Sequence, residues 1–146
     1  GRPNIYWRLT RPNEPCDVGP IHRDSWFWHL NPQFPKPPFP FHRVKVWIPI
    51  YVELGKNGLL VEADSHLRTD IHYHFEERDG IKKPIIITDD TSINTQLLNT
   101  QPGNIVVFND DLLHGGAPNM GKLSRVSLEF TMLVNNESKS ISQTSL

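Results

Sequence analysis

Pro102 to Val134 reads Pro-Gly-Asn-Ile-Val-Val-Phe-Asn-Asp-Asp-Leu-Leu-His-Gly-Gly-Ala-Pro-Asn-Met-Gly-Lys-Leu-Ser-Arg-Val-Ser-Leu-Glu-Phe-Thr-Met-Leu-Val. Branched and aromatic residues predict a strand over Ile105 to Phe108 and a second over Arg125 to Val134. Between them stand His114 and the permissive backbone of Gly115-Gly116, so the stretch is a strand, a His-bearing end, a Gly-rich turn and a returning strand. Outward from it the chain offers many short strands, many turns and hardly a helical stretch, which predicts a mainly β domain, a sandwich or small barrel.

The 146 residues suit one domain, residues 1–146, large enough to bury its own core. With 37% hydrophobic and 21% charged residues and a net charge of -1, it is expected to be an ordinary globule with no nucleic-acid-coating field. Cys16 is the single cysteine, so no internal disulfide forms and a reducing cytoplasmic location is the default expectation. No membrane span is expected, because the longest apolar run, Val46 to Val52, is short and holds Pro49. No stretch has the order of a signal peptide.

Taken in order, Ile5 to Leu9 is predicted as a strand that begins almost at residue 1, as though N-terminal elements were missing. Val18 to Leu30 is predicted as another, with His22 and Asp24 on one face and Trp26 and Trp28 continuing it, either as a wall beside the pair or as core. The prolines of Asn31 to Phe41 predict a long stiff loop, a wall or lid over a pocket, although Pro35-Lys36-Pro37-Pro38 also has the P-x-x-P form. Arg43 to Glu53 is a strand with a bulge or edge at Pro49; the Gly55 to Gly58 turn should send Leu59 to Ala63 back against it as a hairpin. Asp64 to Lys83 is polar and predicted as a loop, and its His66, His72, His74 and Glu76 are read as solvated surface groups rather than a second metal cluster. Pro84 to Asp89 should be a short buried strand, Ser92 to Thr100 a strand or helical turn, and Ser138 to Leu146 a frayed polar tail.

The chemistry lies in three ligands and a clamp. A facial triad for non-haem Fe(II) needs two imidazoles and one carboxylate on one side of the metal, leaving the other positions for co-substrate and O2. His22 and Asp24 supply a pair, and His114 the third ligand from a separate strand. Arg125 offers a guanidinium fork suited to a carboxylate, and Ser127 on the same strand face adds a donor; together they would hold the far carboxylate of 2-oxoglutarate.

The ordered set resembles the Fe(II)/2-oxoglutarate-dependent dioxygenases, and among them the phytanoyl-CoA dioxygenase-like group. The resemblance covers most of the chain. It is carried by His22-Arg23-Asp24; by Val46-Trp47-Ile48-Pro49-Ile50 followed by Asn57-Gly58-Leu59-Leu60; by Ser65-His66; by Pro102 to Phe108; and by Leu113-His114-Gly115 with Asn119 and Arg125 behind it. It implies a double-stranded β-helix (jelly-roll, cupin-like) fold with His22, Asp24 and His114 as catalytic metal ligands. It also implies a site for 2-oxoglutarate at Arg125, Ser127 and Trp47, and decarboxylation to succinate and CO2 coupled to attack on a C–H bond of a small-molecule substrate. Glu62-Ala63-Asp64 departs from the Pro-Gly that commonly precedes Ser65-His66 in the family. Two other readings are a jelly-roll metal-binding or scaffold module without turnover and a cupin-like isomerase or epimerase. A dicarboxylate clamp argues against the latter.

Overall fold

A computed structural model describes residues 4–30, 36–78, 80–88 and 92–135. Among the described residues nine strands form three antiparallel sheets: β1 (Tyr6–Thr10), β2 (Phe41–Tyr51), β3 (Leu59–Val61), β4 (Tyr73–Arg78), β5 (Ile81–Ile86), β6 (Gln96–Leu97), β7 (Val106–Asn109), β8 (His114–Gly116) and β9 (Arg125–Asn135). The strand orders are β1-β9-β2-β7, β6-β3-β8 and β4-β5. The architecture is the expected mainly β, jelly-roll type. Among the described residues no helix is long and apolar enough to cross a membrane.

The four-stranded sheet is held by the long β2–β9 pairing, from Phe41 opposite Asn135 to Tyr51 opposite Val126, with a register shift between Pro49 and Tyr51. The bulge predicted at Pro49 is therefore present. Strand alternation turns Lys45, Trp47, Arg125, Ser127 and Glu129 to one face, the inner one. The other face presents Val46, Ile48, Leu128 and Phe130, bordered by exposed Trp7 and Val107.

Three expectations are corrected. Leu59 to Val61 does not return along β2 as a hairpin; it crosses to the other sheet and pairs with β8 and β6. The turn before it is where the chain changes sheets. Residues 64–83 are not a loop throughout, since β4 and β5 form a hairpin in which Tyr73 faces Ile86 and Phe75 faces Pro84. Its apolar side covers the core made by Trp26, Ile71 and Leu113, with Ile21 and Ile93 alongside.

Finally, Val18 to Leu30 is not a strand beyond His22, because residues Asp24–His29 form helix α1. The run Ser25-Trp26-Phe27-Trp28-His29 has no β-branched residue, and Asp24 in the first turn suits the positive end of a helix. Residues two apart on a helix point in nearly opposite directions. Trp26 is accordingly core, stacked on Tyr73 at 4.1 Å, while Trp28 lines the cavity. Residues 36–40 are loop and turn, as predicted; the rest of the Pro-rich loop and the tail at 138–146 lie outside the described residues.

Candidate metal centre and cavity

His22 and His114 come from opposite ends of the chain and meet as a bridge that exchanges both main-chain hydrogen bonds, His22 N to His114 O at 2.9 Å and His114 N to His22 O at 3.0 Å. Directly opposed residues send their side chains to the same face, so the rings stand side by side, centroids 4.6 Å apart. Each Nδ1 lies on a carbonyl two residues back, Pro20 O at 2.8 Å and Leu112 O at 2.9 Å. A carbonyl only accepts, so in the neutral rings Nδ1 carries the proton and Nε2 is the atom left for a metal.

Asp24 reaches the same point by a different route. The chain leaves the bridge at His22, and the first turn of α1 swings the carboxylate back beneath both rings. Arg23 fixes the step from the far side, its Nη2 donating to Ser65 O at 2.6 Å and Arg68 O at 2.9 Å. Asp24 Oδ1 then lies 3.7 Å from His22 Nε2 and Oδ2 3.5 Å from His114 Nε2. Burial raises the Asp24 pKa but is outweighed by His22, His114 and Lys45, which hold it below the usual carboxylate range. Burial, with the neighbouring His22, pushes His114 down to about 4, so it is neutral and fit to bind a cation.

Ser65 ties the 62–65 turn to this site. Its fully buried Oγ donates to Glu62 O and accepts from Leu113 N, both at 2.8 Å, next to His114. Asp64 adopts a left-handed φ of 57°, the conformation that Gly would take most readily, so the chain makes the turn without the family's Pro-Gly. His72 and His74 are exposed, His74 against Glu76, consistent with surface groups. Among the described residues the three-ligand group is His22, Asp24 and His114, with ligand atoms within 4.8 Å of one another.

These residues open into a cavity of about 540 Å³ lined by residues of all three sheets. Arg125 and Trp47 line it; Ser127 shares their strand face, fully buried, but does not line it. The Arg125 guanidinium donates to Gly58 O and Thr10 Oγ1, both at 2.6 Å, and its Nε has no partner. Gly116 gives it room, since a Cβ there would lie 3.2 Å from Nη2. Two contacts at the site were not read from the sequence. Lys45 is buried in the cavity wall with Nζ 3.3 Å from Asp24 Oδ2, and Arg23 acts as the fastener just described. The alternation of Lys45 with Trp47 along β2 was the available signal for the first.

The profile of the family described as phytanoyl-CoA dioxygenase (PhyH) matches residues 3–127. The chain belongs to the phytanoyl-CoA dioxygenase family. No curated protein is similar to it in sequence. Among solved structures it resembles AviO1 from Streptomyces viridochromogenes Tue57, at 16% identity and TM-score 0.59 over 93% of this chain and 52% of that one. EvdO2 from Micromonospora carbonacea var. aurantiaca, complexed with 2-oxoglutarate, gives 16% and 0.64 over 90% and 53%. The non-haem α-ketoglutarate-dependent epimerase SnoN from nogalamycin biosynthesis gives 14% and 0.55 over 90% and 45%. The chain spans about half the length of these neighbours, and at such identity they show the fold.

Phytanoyl-CoA dioxygenase family members use Fe(II) and 2-oxoglutarate, the cofactors the sequence led us to expect, and the donor set fits. Two imidazole Nε2 atoms and one carboxylate are the donor types of a facial triad. Donors about 2.1 Å from a metal and at right angles are about 3 Å apart, close to the 3.5 and 3.7 Å seen here. Asp24 Oδ2 is buried and accepts no hydrogen bond, which leaves it free to meet a cation.

Proposed function

We propose that the chain is the core of an Fe(II)- and 2-oxoglutarate-dependent oxygenase that hydroxylates a C–H bond of a small-molecule substrate and releases succinate and CO2. His22, Asp24 and His114 are the proposed metal ligands, and Arg125, Ser127 and Trp47 the proposed co-substrate residues. The observation that carries the reading is the convergence of two Nε2-directed histidines and Asp24 on one cavity that also holds a buried guanidinium.

Iron, when held by these residues, would supply the activation of O2. The chain's residues bind and orient. The Nδ1 contacts to Pro20 and Leu112 hold both rings against rotation. Arg125 has N–H groups beyond those given to Gly58 and Thr10, and these would receive the far carboxylate of 2-oxoglutarate in one orientation. Trp47, 2% exposed, closes the wall between clamp and ligands and keeps water from the co-substrate. The substrate would enter beside Trp28 and Phe27.

The test is anaerobic addition of Fe(II) and 2-oxoglutarate, read as the weak visible charge-transfer band of the chelate. The band should appear with wild-type protein and vanish in Asp24→Ala. No band from folded protein, or a band unchanged in that variant, would sink the proposal. A metal-binding module without turnover is distinguished by metal-dependent stabilisation with no succinate release under O2. The name of SnoN as an epimerase motivates analysing the product for inversion as well as hydroxylation.

A further inference from the structure

Lys45 lines this cavity, and the proposed reaction leaves it without a task. Its side chain is 6% exposed, on the inner face of β2, with Phe108 opposite on β7 and Thr131 opposite on β9. A buried ammonium requires a counter-charge. The ion pair found here is with Asp24 Oδ2 at 3.3 Å, without hydrogen-bond alignment. That oxygen also lies 3.5 Å from His114 Nε2, so it faces the proposed metal ligands.

The two demands on Asp24 conflict. A divalent ion bonded to this carboxylate would stand within about 5 Å of Nζ, where like charges repel strongly in a protein interior. We propose that Lys45 is an exchangeable counter-cation: it neutralises Asp24 before metal arrives, is displaced from it by the metal, and then binds the negative charge of a carboxylate ligand entering the cavity. Arg125 cannot do the same, because it is fixed by Gly58 and Thr10 and lies on β9 well away from the Lys45 register position. Metal loading would thus create an anion-binding group, and 2-oxoglutarate would bind after the metal. The inference rests on the ligand assignment proposed above.

The experiment titrates Mn(II) into EDTA-stripped wild type, Lys45→Met, Lys45→Gln and Lys45→Arg by calorimetry, then titrates 2-oxoglutarate into each Mn(II)-loaded protein without O2. Circular dichroism of the stripped proteins identifies any variant that has not folded, and the Gln and Arg variants keep the comparison open if Met fails. Met and Gln should bind Mn(II) about tenfold more tightly, the scale of outer-shell effects on a metal, and 2-oxoglutarate about tenfold more weakly; Arg should follow the wild type. Equal or weaker Mn(II) binding in Met and Gln would overturn the exchange and make Lys45 a prop for metal-bound Asp24. Unchanged 2-oxoglutarate binding would overturn the anion role. Failure of wild type to bind Mn(II) any better than His114→Ala would instead remove the ligand assignment, and this inference with it.

Discussion

The depressed pKa of His114 makes the metal-free protein acid-sensitive in a defined window. Its value in the fold is about 4 against an ordinary 6.5. The unfolded chain therefore takes up a proton on this ring before the folded protein does, and stability falls as pH drops from 6.5 towards 4. It is fully present above about pH 7. With 1.36 kcal/mol per unit, the loss relative to pH 7 is about 2 kcal/mol at pH 5 and about 3 kcal/mol at pH 4. Asp24 does not confuse the upper part of the window: its folded pKa is depressed, so its contribution is lost only below the ordinary carboxylate value. Urea unfolding of EDTA-treated protein, followed by tryptophan fluorescence, should show the midpoint falling by about 1 M between pH 7 and pH 5, taking a slope near 2 kcal/mol per M. His114→Gln carries no titrating group there and should lose most of that slope. Parallel pH curves for the two proteins would refute the reasoning, whatever their absolute stabilities.

Other substitutions separate clamp, metal site and frame. Arg125→Met strips charged partners from Gly58 O and Thr10 Oγ1 and should cost about 2–4 kcal/mol in urea unfolding. It should abolish 2-oxoglutarate binding while leaving Mn(II) binding in place. Gly116→Ala places a Cβ 3.2 Å from Nη2 and should weaken 2-oxoglutarate about tenfold by calorimetry without changing metal affinity; a parallel fall in both would count against Arg125 as the clamp. Asn119 donates to Thr10 O and Leu123 O and accepts from Asn57 and Gly121, so Asn119→Ala should cost about 2–4 kcal/mol in urea unfolding.

What could be read from the sequence follows from how local each feature is. The β1 and β9 strands and the Pro49 bulge are written in alternation and in the missing proline donor, which need no distant partner. The pairing of His22 with His114 was inferred from chemistry, and the structure brings them together with Asp24; the means was misread. Alternation along a strand would place His22 and Asp24 together, whereas a bridge followed by a helical turn does so here, and a two-residue spacing satisfies both. The β4–β5 hairpin was hidden because its polar side carries His74 and Glu76, so only Tyr73 and Phe75 mark the buried side. Lys45 could be read only as a basic group able to attract an anion, because nothing near it in sequence announces Asp24. Ser127 shows the limit in the other direction: sharing a face with Arg125 does not bring it to the cavity wall.

The bridge between His22 and His114 also has a kinetic meaning. It joins the segment just before α1 to β8, far along the chain, and such contacts close late, after the entropy of the intervening loop has been overcome. The metal position therefore forms only when this bridge closes. A bound ion would slow unfolding and leave the refolding rate unchanged, so the protein would fold empty and be loaded afterwards.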